Sequence, residues 1–170
     1  MADDVFLGFE PGVSHARPAA LLALAWSRDG VPAVVAHQLI APRHRHGADR
    51  RRAVLEGCWQ WSASLAAALR IQAQGYVRCE DDPALTLLCG GFELLAVQAR
   101  RPCYALPADQ IAGWLTGRRQ ASTTELLAAV ALRYGLQVPV PFAGALCVAL
   151  ATAIAHRLPL RAWEVARGAR

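Results

Sequence analysis

The chain has 170 residues, 55% of them hydrophobic, and a formal net charge of +5 in which all 18 positive residues are arginine. This length and composition predict one domain with a substantial core over residues 1–170, of which 159–170 are expected to form a C-terminal tail. The basic balance permits an anionic partner. The longest apolar stretch, 138–155, is interrupted by two prolines and a glycine, so we expect no membrane span.

The cysteines indicate the environment in which the chain works. None belongs to a Cys-x-x-Cys pair and most lie inside apolar runs, which predicts buried, reduced thiols. We expect no signal peptide, because the N-terminus lacks a basic region followed by a long apolar core. Reduced thiols are typical of the cytosol, so a cytoplasmic location is the expectation. The cysteines are Cys58, Cys79, Cys89, Cys103 and Cys147.

The first half of the chain predicts a three-stranded meander followed by a long helix. The first apolar run delivers Glu10 into a Pro11-Gly12 turn, which ends a buried strand. From 48 to 74, apolar residues recur every three or four positions, as on one face of a helix, and Gly75 is expected to cap that helix. The predicted strands cover 5–10, 18–26 and 31–40.

The second half alternates strands with helices, which predicts parallel pairing. A short apolar run at 76–79 precedes the acidic sequence Glu-Asp-Asp-Pro and predicts a fourth strand with an acidic tip. A helix at 84–100 and a fifth strand at 102–106 follow. The last expected helices cover 109–115, 123–134 and 143–156. The predicted fold class is therefore α/β, with a five-stranded mixed sheet, three antiparallel strands and then parallel strands, flanked by helices.

Glu10 and Glu80 are the candidate metal ligands and catalytic acids, because each stands at the tip of a predicted strand. The first and fourth strands can be neighbours in a mixed sheet, and acids at their carboxyl ends then converge on one crevice. Two converging carboxylates suit Mg²⁺ or Mn²⁺. Asp81 and Asp82 follow Glu80 and can assist from the same side. The alternative is that Glu10 and Glu80 merely face solvent from loops.

Two basic clusters are candidate nucleic-acid-binding surfaces. The larger begins in a polar loop and continues into the long predicted helix, and the smaller follows the helix at 109–115. Arginine suits phosphate because its planar fork donates two hydrogen bonds at once. The alternative is an ordinary solvated surface. The candidates are Arg43, Arg45, Arg50, Arg51, Arg52, Arg118 and Arg119.

Five segments, in the right order, resemble the RuvC family of Holliday-junction resolvases, which have a ribonuclease H-like fold. In the first, Leu7-Gly8-Phe9-Glu10-Pro11-Gly12, Glu10 replaces the aspartate of the family's Gly-x-Asp-Pro-Gly motif, and Glu80 maps onto the second acid. The segment 84–101 resembles the helix through which these resolvases dimerise. The resemblance implies branched DNA as the partner, a divalent metal and a homodimer. The segments are 7–12, 76–81, 84–101, 110–123 and 143–151.

The same resemblance implies that the catalytic equipment is incomplete. The two metal-binding positions of the family's last helix map onto Pro141 and Gly144, whose side chains cannot coordinate a metal. The two family lysines that support catalysis and DNA contact map onto Ala112 and Thr123. Glu10 adds one methylene to the family's aspartate and moves the carboxylate by about 1.5 Å. Two-metal cleavage needs acids on both sides of the scissile phosphate, and here acids remain on one side only.

Three functions remain open. We favour a RuvC-like nucleic-acid-binding protein, catalytically inactive or strongly impaired, that acts on branched DNA in recombination or repair or serves as an assembly module. The second is an active Mg²⁺-dependent junction endonuclease with a rearranged acidic site, whose cleavage would be lost in Glu80→Ala. The third is a protein-interaction paralogue that pairs through 84–101 and binds no DNA.

Overall fold

Five strands form one mixed sheet in the computed structural model, which describes residues 3–14, 16–42 and 47–158. The strands are β1 (Asp4–Glu10), β2 (Ala19–Trp26), β3 (Pro32–Ile40), β4 (Ile71–Val77) and β5 (Cys103–Leu106). Their order is β3-β2-β1-β4-β5. The first three strands pair antiparallel, whereas β1 with β4 and β4 with β5 pair parallel. The predicted mixed sheet is confirmed, and the predicted tail at 159–170 lies outside the described residues.

Helices cover both faces of the sheet. They are α1 (Gly47–Ala66), α2 (Pro83–Gln98), α3 (Ala108–Thr116), α4 (Thr123–Tyr134) and α5 (Ala143–Arg157), the last preceded by a 3₁₀ turn at Val140–Phe142. One core lies between the sheet and α1 and α2, and a second lies between the sheet and α3, α4 and α5. This arrangement is the α/β layer fold expected from the sequence.

The two cores follow from the alternation of side chains along β1 and β2. In β1, Leu7 and Phe9 point to the layer of α1 and α2, where Phe9 stacks on Phe92 of α2 with ring centroids 4.3 Å apart. In β2, Leu22 and Leu24 point to the opposite layer. Successive residues of a strand face opposite sides, so a central strand that is apolar throughout serves both cores.

Two glycines allow α5 to approach the centre of the sheet. Gly8 of β1 and Gly75 of β4 are register partners, and both face α5. A Cβ on Gly8 would meet the backbone of α5 at Ala145 and Ala149, and a Cβ on Gly75 would meet Thr152. The backbone of α5 therefore lies close above β1, and this proximity positions its first turn beside Glu10.

One predicted element is wrong in its extent. The helix expected over 48–74 ends at Ala66, and β4 begins at Ile71, so Gly75 lies inside a strand and caps no helix. The sequence keeps a helical spacing of apolar residues beyond the end of α1. The reason is that Leu69, in the turn after the helix, packs on the same core as Leu65. Residues 71–77 nevertheless form a strand, because pairing between β1 and β5 outweighs the local preference for a helix.

The predicted position of the fourth strand, 76–79, is also wrong. The observed strand β4 ends at Val77, so Glu80 lies in the following loop and not at the strand tip. The other predicted elements are present, with ends that differ by at most two residues. All five cysteines are free, and three of them are buried, as expected from the sequence.

One segment of the described chain, residues 140–157, is long and apolar enough to cross a membrane by length and composition. In the structure it includes α5, and 67% of it is buried inside the protein. Its apolar side chains pack against β1, β2 and the helices α3 and α4. Burial in the protein core accounts for its composition.

Candidate functional site

The C-terminal end of β1 delivers Glu10 to the first turn of α5. This helix begins after Phe142, which supplies no side-chain cap, and its first turn contains no acidic residue. The backbone N–H groups of Gly144 and Ala145 donate hydrogen bonds to the Glu10 carboxylate. These are the second and third N–H groups of the helix, which an N-cap side chain normally satisfies. Glu10 therefore caps α5 from a neighbouring strand.

Glu10 also fills the space in which a side chain at position 144 would lie. A Cβ built on Gly144 would overlap both Oε2 and Cδ of Glu10. The longer side chain at position 10 and the missing side chain at position 144 are thus sterically complementary. Because the helix N-terminus carries partial positive charge, a carboxylate placed there is electrostatically favourable.

The electrostatics of Glu10 are dominated by burial. Burial raises the pKa of Glu10 above its ordinary value, while the positive charge of Arg17 and the two helix N–H groups act in the opposite direction. Arg17 is exposed and belongs to a turn in which its N–H donates to the Ser14 hydroxyl at 3.0 Å. Among the influences that lower the pKa of Glu10, the charge of Arg17 is the largest.

The other predicted acids are engaged elsewhere or exposed. Glu80 accepts from Arg78 at 2.7 Å, and its side chain is 66% exposed. Asp82 is the N-cap of α2 and accepts from the N–H groups of Ala84 at 2.9 Å and Leu85 at 3.2 Å. Asp81 is exposed in the same loop.

The positions that map onto the missing catalytic residues divide between surface and core. Pro141 is exposed in the 3₁₀ turn, and Gly144 lies in the first turn of α5 under Glu10. Ala112 is buried in α3, whereas Thr123 is the exposed first residue of α4. None of the four side chains is an acid or carries a positive charge.

These residues do not fit the donor set that two-metal cleavage requires. Within residues 3–14, 16–42 and 47–158, no group of three or more His, Cys, Asp or Glu side chains is arranged to hold a metal ion. The Glu10 carboxylate is bound to helix N–H groups, and α5 brings no acid to the opposite side. The assignment of Glu10 and Glu80 as metal ligands stays a prediction.

The described members of the basic clusters lie at the surface and most pair with acids. Arg52 bonds Glu56 at 2.8 Å and Arg118 bonds Glu125 at 2.9 Å, while Arg119 lies 3.8 Å from Asp109. Such exposed pairs contribute little stability and exchange readily for another anion. Arg50 and Arg51 are half-buried in the first turn of α1. The predicted residues Arg43 and Arg45 lie outside the described residues.

Two features of this site were missed in the sequence. Arg17 was not singled out, although its position shortly after the Pro11-Gly12 turn brings it near Glu10. Gly144 was interpreted only as a lost ligand, whereas the structure shows that it makes room for the Glu10 carboxylate. The available signal was the coincidence of a lengthened acid with a glycine at a mapped ligand position.

Comparison with solved structures shows what this fold is similar to. The structure of Thermus thermophilus RuvC superposes with a TM-score of 0.74 at 20% identity and covers 92% of this chain and 97% of that one. The T. thermophilus RuvC complex with a Holliday junction substrate gives 0.70 at 21% identity, covering 88% and 92%. The yeast mitochondrial Holliday junction resolvase Ydc2 gives 0.53 at 12% identity, covering 88% and 78%.

No family model matches the sequence, and no curated protein matches it. The similarity therefore lies in the three-dimensional arrangement, and it establishes a shared fold. The order of the strands, with three antiparallel and then two parallel pairings, agrees with the fold that the sequence motifs suggested. The chain has the ribonuclease H-like fold of the RuvC Holliday-junction resolvases.

Proposed function

We propose that this protein is a RuvC-like nucleic-acid-binding protein that binds branched DNA without cleaving it, in recombination or repair or as an assembly module. The observation that carries this proposal is the Glu10 carboxylate, which caps α5 at the place where an acid from that helix would complete a metal site. The Glu10 carboxylate already accepts from two N–H groups and lies against Gly144. It is therefore poorly placed to bind a metal ion together with a second ligand.

Binding of branched DNA is supported by the net charge and by the fold. The formal net charge is +5, and every positively charged residue is an arginine. The T. thermophilus RuvC that shares this fold was solved in complex with a Holliday junction substrate. Exposed arginines at the start of α1 and after α3 are suitable phosphate ligands, because their acid partners are solvent-exposed and easily replaced.

The first prediction concerns the salt dependence of DNA binding. The protein should bind a four-way junction more tightly than a linear duplex of the same length. If about four phosphates are neutralised, affinity should fall on the order of 100-fold between roughly 50 and 200 mM salt. Arg118→Ala with Arg119→Ala should weaken binding and reduce the slope of log affinity against log salt by about 2. Fluorescence anisotropy over a salt series measures both quantities.

The matched control is Arg28→Ala. Arg28 is an exposed arginine in the turn after β2, at the opposite end of the sheet from Glu10, so its loss should leave the salt slope unchanged. Absent binding to any nucleic acid, or binding that does not respond to salt, would reject the proposal and leave the protein-interaction alternative.

We further propose that α2 forms a homodimer interface. Leu87, Gly90, Leu94 and Val97 recur at three- and four-residue steps and are all exposed, so they share one face of the helix. Gly90 has open space around it, which permits a partner helix to approach closely. An apolar groove of about 500 Å³ lies between α1 and α2, and its lining includes Trp59 of α1 and Leu95 of α2.

The second prediction concerns this interface. Leu94, which is 58% exposed, should be replaceable by aspartate without loss of fold, but a charge at the centre of an apolar contact should convert the dimer to a monomer. Sedimentation velocity measures the change. Leu132→Asp is the control, because Leu132 of α4 is 90% exposed and lies outside the α2 face. Identical sedimentation of the wild type and Leu94→Asp would contradict the interface.

A further inference from the structure

Two thiols lie together beside the acidic loop that follows β4. Cys79 stands two residues after the strand, and Cys89 lies in the second turn of α2. Their Sγ atoms share one acceptor, the carbonyl oxygen of Val77, at 3.6 Å from Cys79 and 3.7 Å from Cys89. The fold therefore brings two thiols from different elements onto one backbone atom.

The two thiols differ in their access to solvent. Both line an open cavity of about 430 Å³, together with Tyr76 and Glu93. Cys79 is half-buried on the loop side of this cavity, whereas Cys89 is buried on the helix side. Cys79 is therefore the more accessible of the two sulfurs.

We propose that Cys79 and Cys89 form a redox-active dithiol that closes to an intramolecular disulfide. The Cys79 thiolate attacks one sulfur of a small disulfide such as glutathione disulfide, whose S–S bond breaks and releases one glutathione thiolate. The Cys89 thiolate then attacks the Cys79 sulfur of the mixed disulfide and releases the second glutathione. The protein loses two electrons and two protons, and two glutathione thiols are formed.

The surroundings assign the order of the two steps. Cys79 is the more exposed of the two thiols, and Cys89 is covered by the helix that carries it. Burial raises the pKa of Cys89 to about 12, and the neighbouring Cys79 adds to this. Cys79 is thus the first thiol to react, and oxidation should accelerate as pH rises because the thiolate is the attacking species.

The disulfide would attach the acidic loop covalently to α2. At present the Thr86 hydroxyl donates to the Cys79 carbonyl, and Asp82 caps the same helix. The new bond would join this loop, with Glu80 and Asp81, to the helix proposed as the dimer interface. Reversible closure is consistent with the expected cytosolic location, where disulfides are transient. The proposal does not depend on DNA binding.

The test is thiol mapping of the full-length protein in glutathione redox buffers. The protein is equilibrated at increasing ratios of oxidised to reduced glutathione, quenched with acid, alkylated, digested and analysed by mass spectrometry. We expect two of the five cysteines to lose alkylation together and a peptide that links Cys79 to Cys89 to appear. Cys89→Ser should instead accumulate glutathione on Cys79. Cys103→Ser, which removes a thiol outside the pair, should retain the linked peptide.

The wild-type measurement decides the matter even if a variant fails to fold. Full alkylation of Cys79 and Cys89 at the most oxidising ratio and alkaline pH would overturn the proposal. So would linkage of Cys79 to any other cysteine, because the shared Val77 contact assigns Cys89 as its partner.

Discussion

Gly8→Ala should destabilise the protein by about 3 kcal/mol, which for a chain of this size lowers Tm by roughly 6–12 °C. The added Cβ would meet the backbone of α5 at Ala145 and Ala149, and a helix backbone cannot yield as a flexible side chain can. The helix must move away from β1 and take its apolar residues partly out of contact with the sheet. Urea and thermal denaturation measure the loss.

Gly113→Ala is the matched control for this substitution. Gly113 lies inside α3, and a Cβ there meets no neighbouring atom within 4 Å. Alanine is the better helix former by about 1 kcal/mol, so this variant should be as stable as the wild type or more so. A Gly8→Ala protein with wild-type stability would mean that α5 does not lie against β1 as described.

A double-mutant cycle between Glu10 and Gly144 should show a coupling free energy of about 2 kcal/mol. Gly144→Asp alone places a side chain and a second negative charge against the Glu10 carboxylate, so it should be strongly destabilising. Glu10→Ala alone removes the cap of α5 and should cost about 1 kcal/mol. In the double variant the new aspartate enters space that Glu10 has vacated and lies in the first turn of the helix, where a negative charge is favourable.

The control for this cycle is Gly113→Asp combined with Glu10→Ala. Gly113 lies in another helix with open space around it, so its effect should add to that of Glu10→Ala within about 0.5 kcal/mol. Additive effects of Gly144→Asp and Glu10→Ala would contradict the steric and electrostatic complementarity of positions 10 and 144.

The sheet could be predicted from the sequence because its signals are local. The apolar runs of β1 and β2, the turn between β2 and β3, and the alternation of strands with helices each depend on neighbouring residues. The boundary between α1 and β4 could not be predicted in the same way. Leu69 continues the helical spacing although it lies in a turn. Gly75 is required because a side chain there would meet Thr152 of α5, which is far along the chain.

The site was only partly predictable for the same physical reason. Glu10 and its position at the end of β1 follow from the apolar run and the Pro-Gly turn. The contacts of its carboxylate with Gly144, Ala145 and Arg17 depend on the packing of α5 against the sheet. Likewise, the sequence offers Asp82 as an additional metal ligand, but in the structure its side chain is the N-cap of α2. Sequence reasoning identified the acids, and tertiary packing determined what they bind.

The measurement that tests the central claim most directly is cleavage of a four-way junction in the presence of Mg²⁺ or Mn²⁺, run beside a binding assay on the same preparation. We predict binding that weakens with salt and no cleavage above that of a Glu80→Ala protein, because α5 supplies no acid opposite Glu10. Metal-dependent cleavage by the wild type that Glu10→Ala or Glu80→Ala abolishes would contradict the account and establish an active, rearranged acidic site.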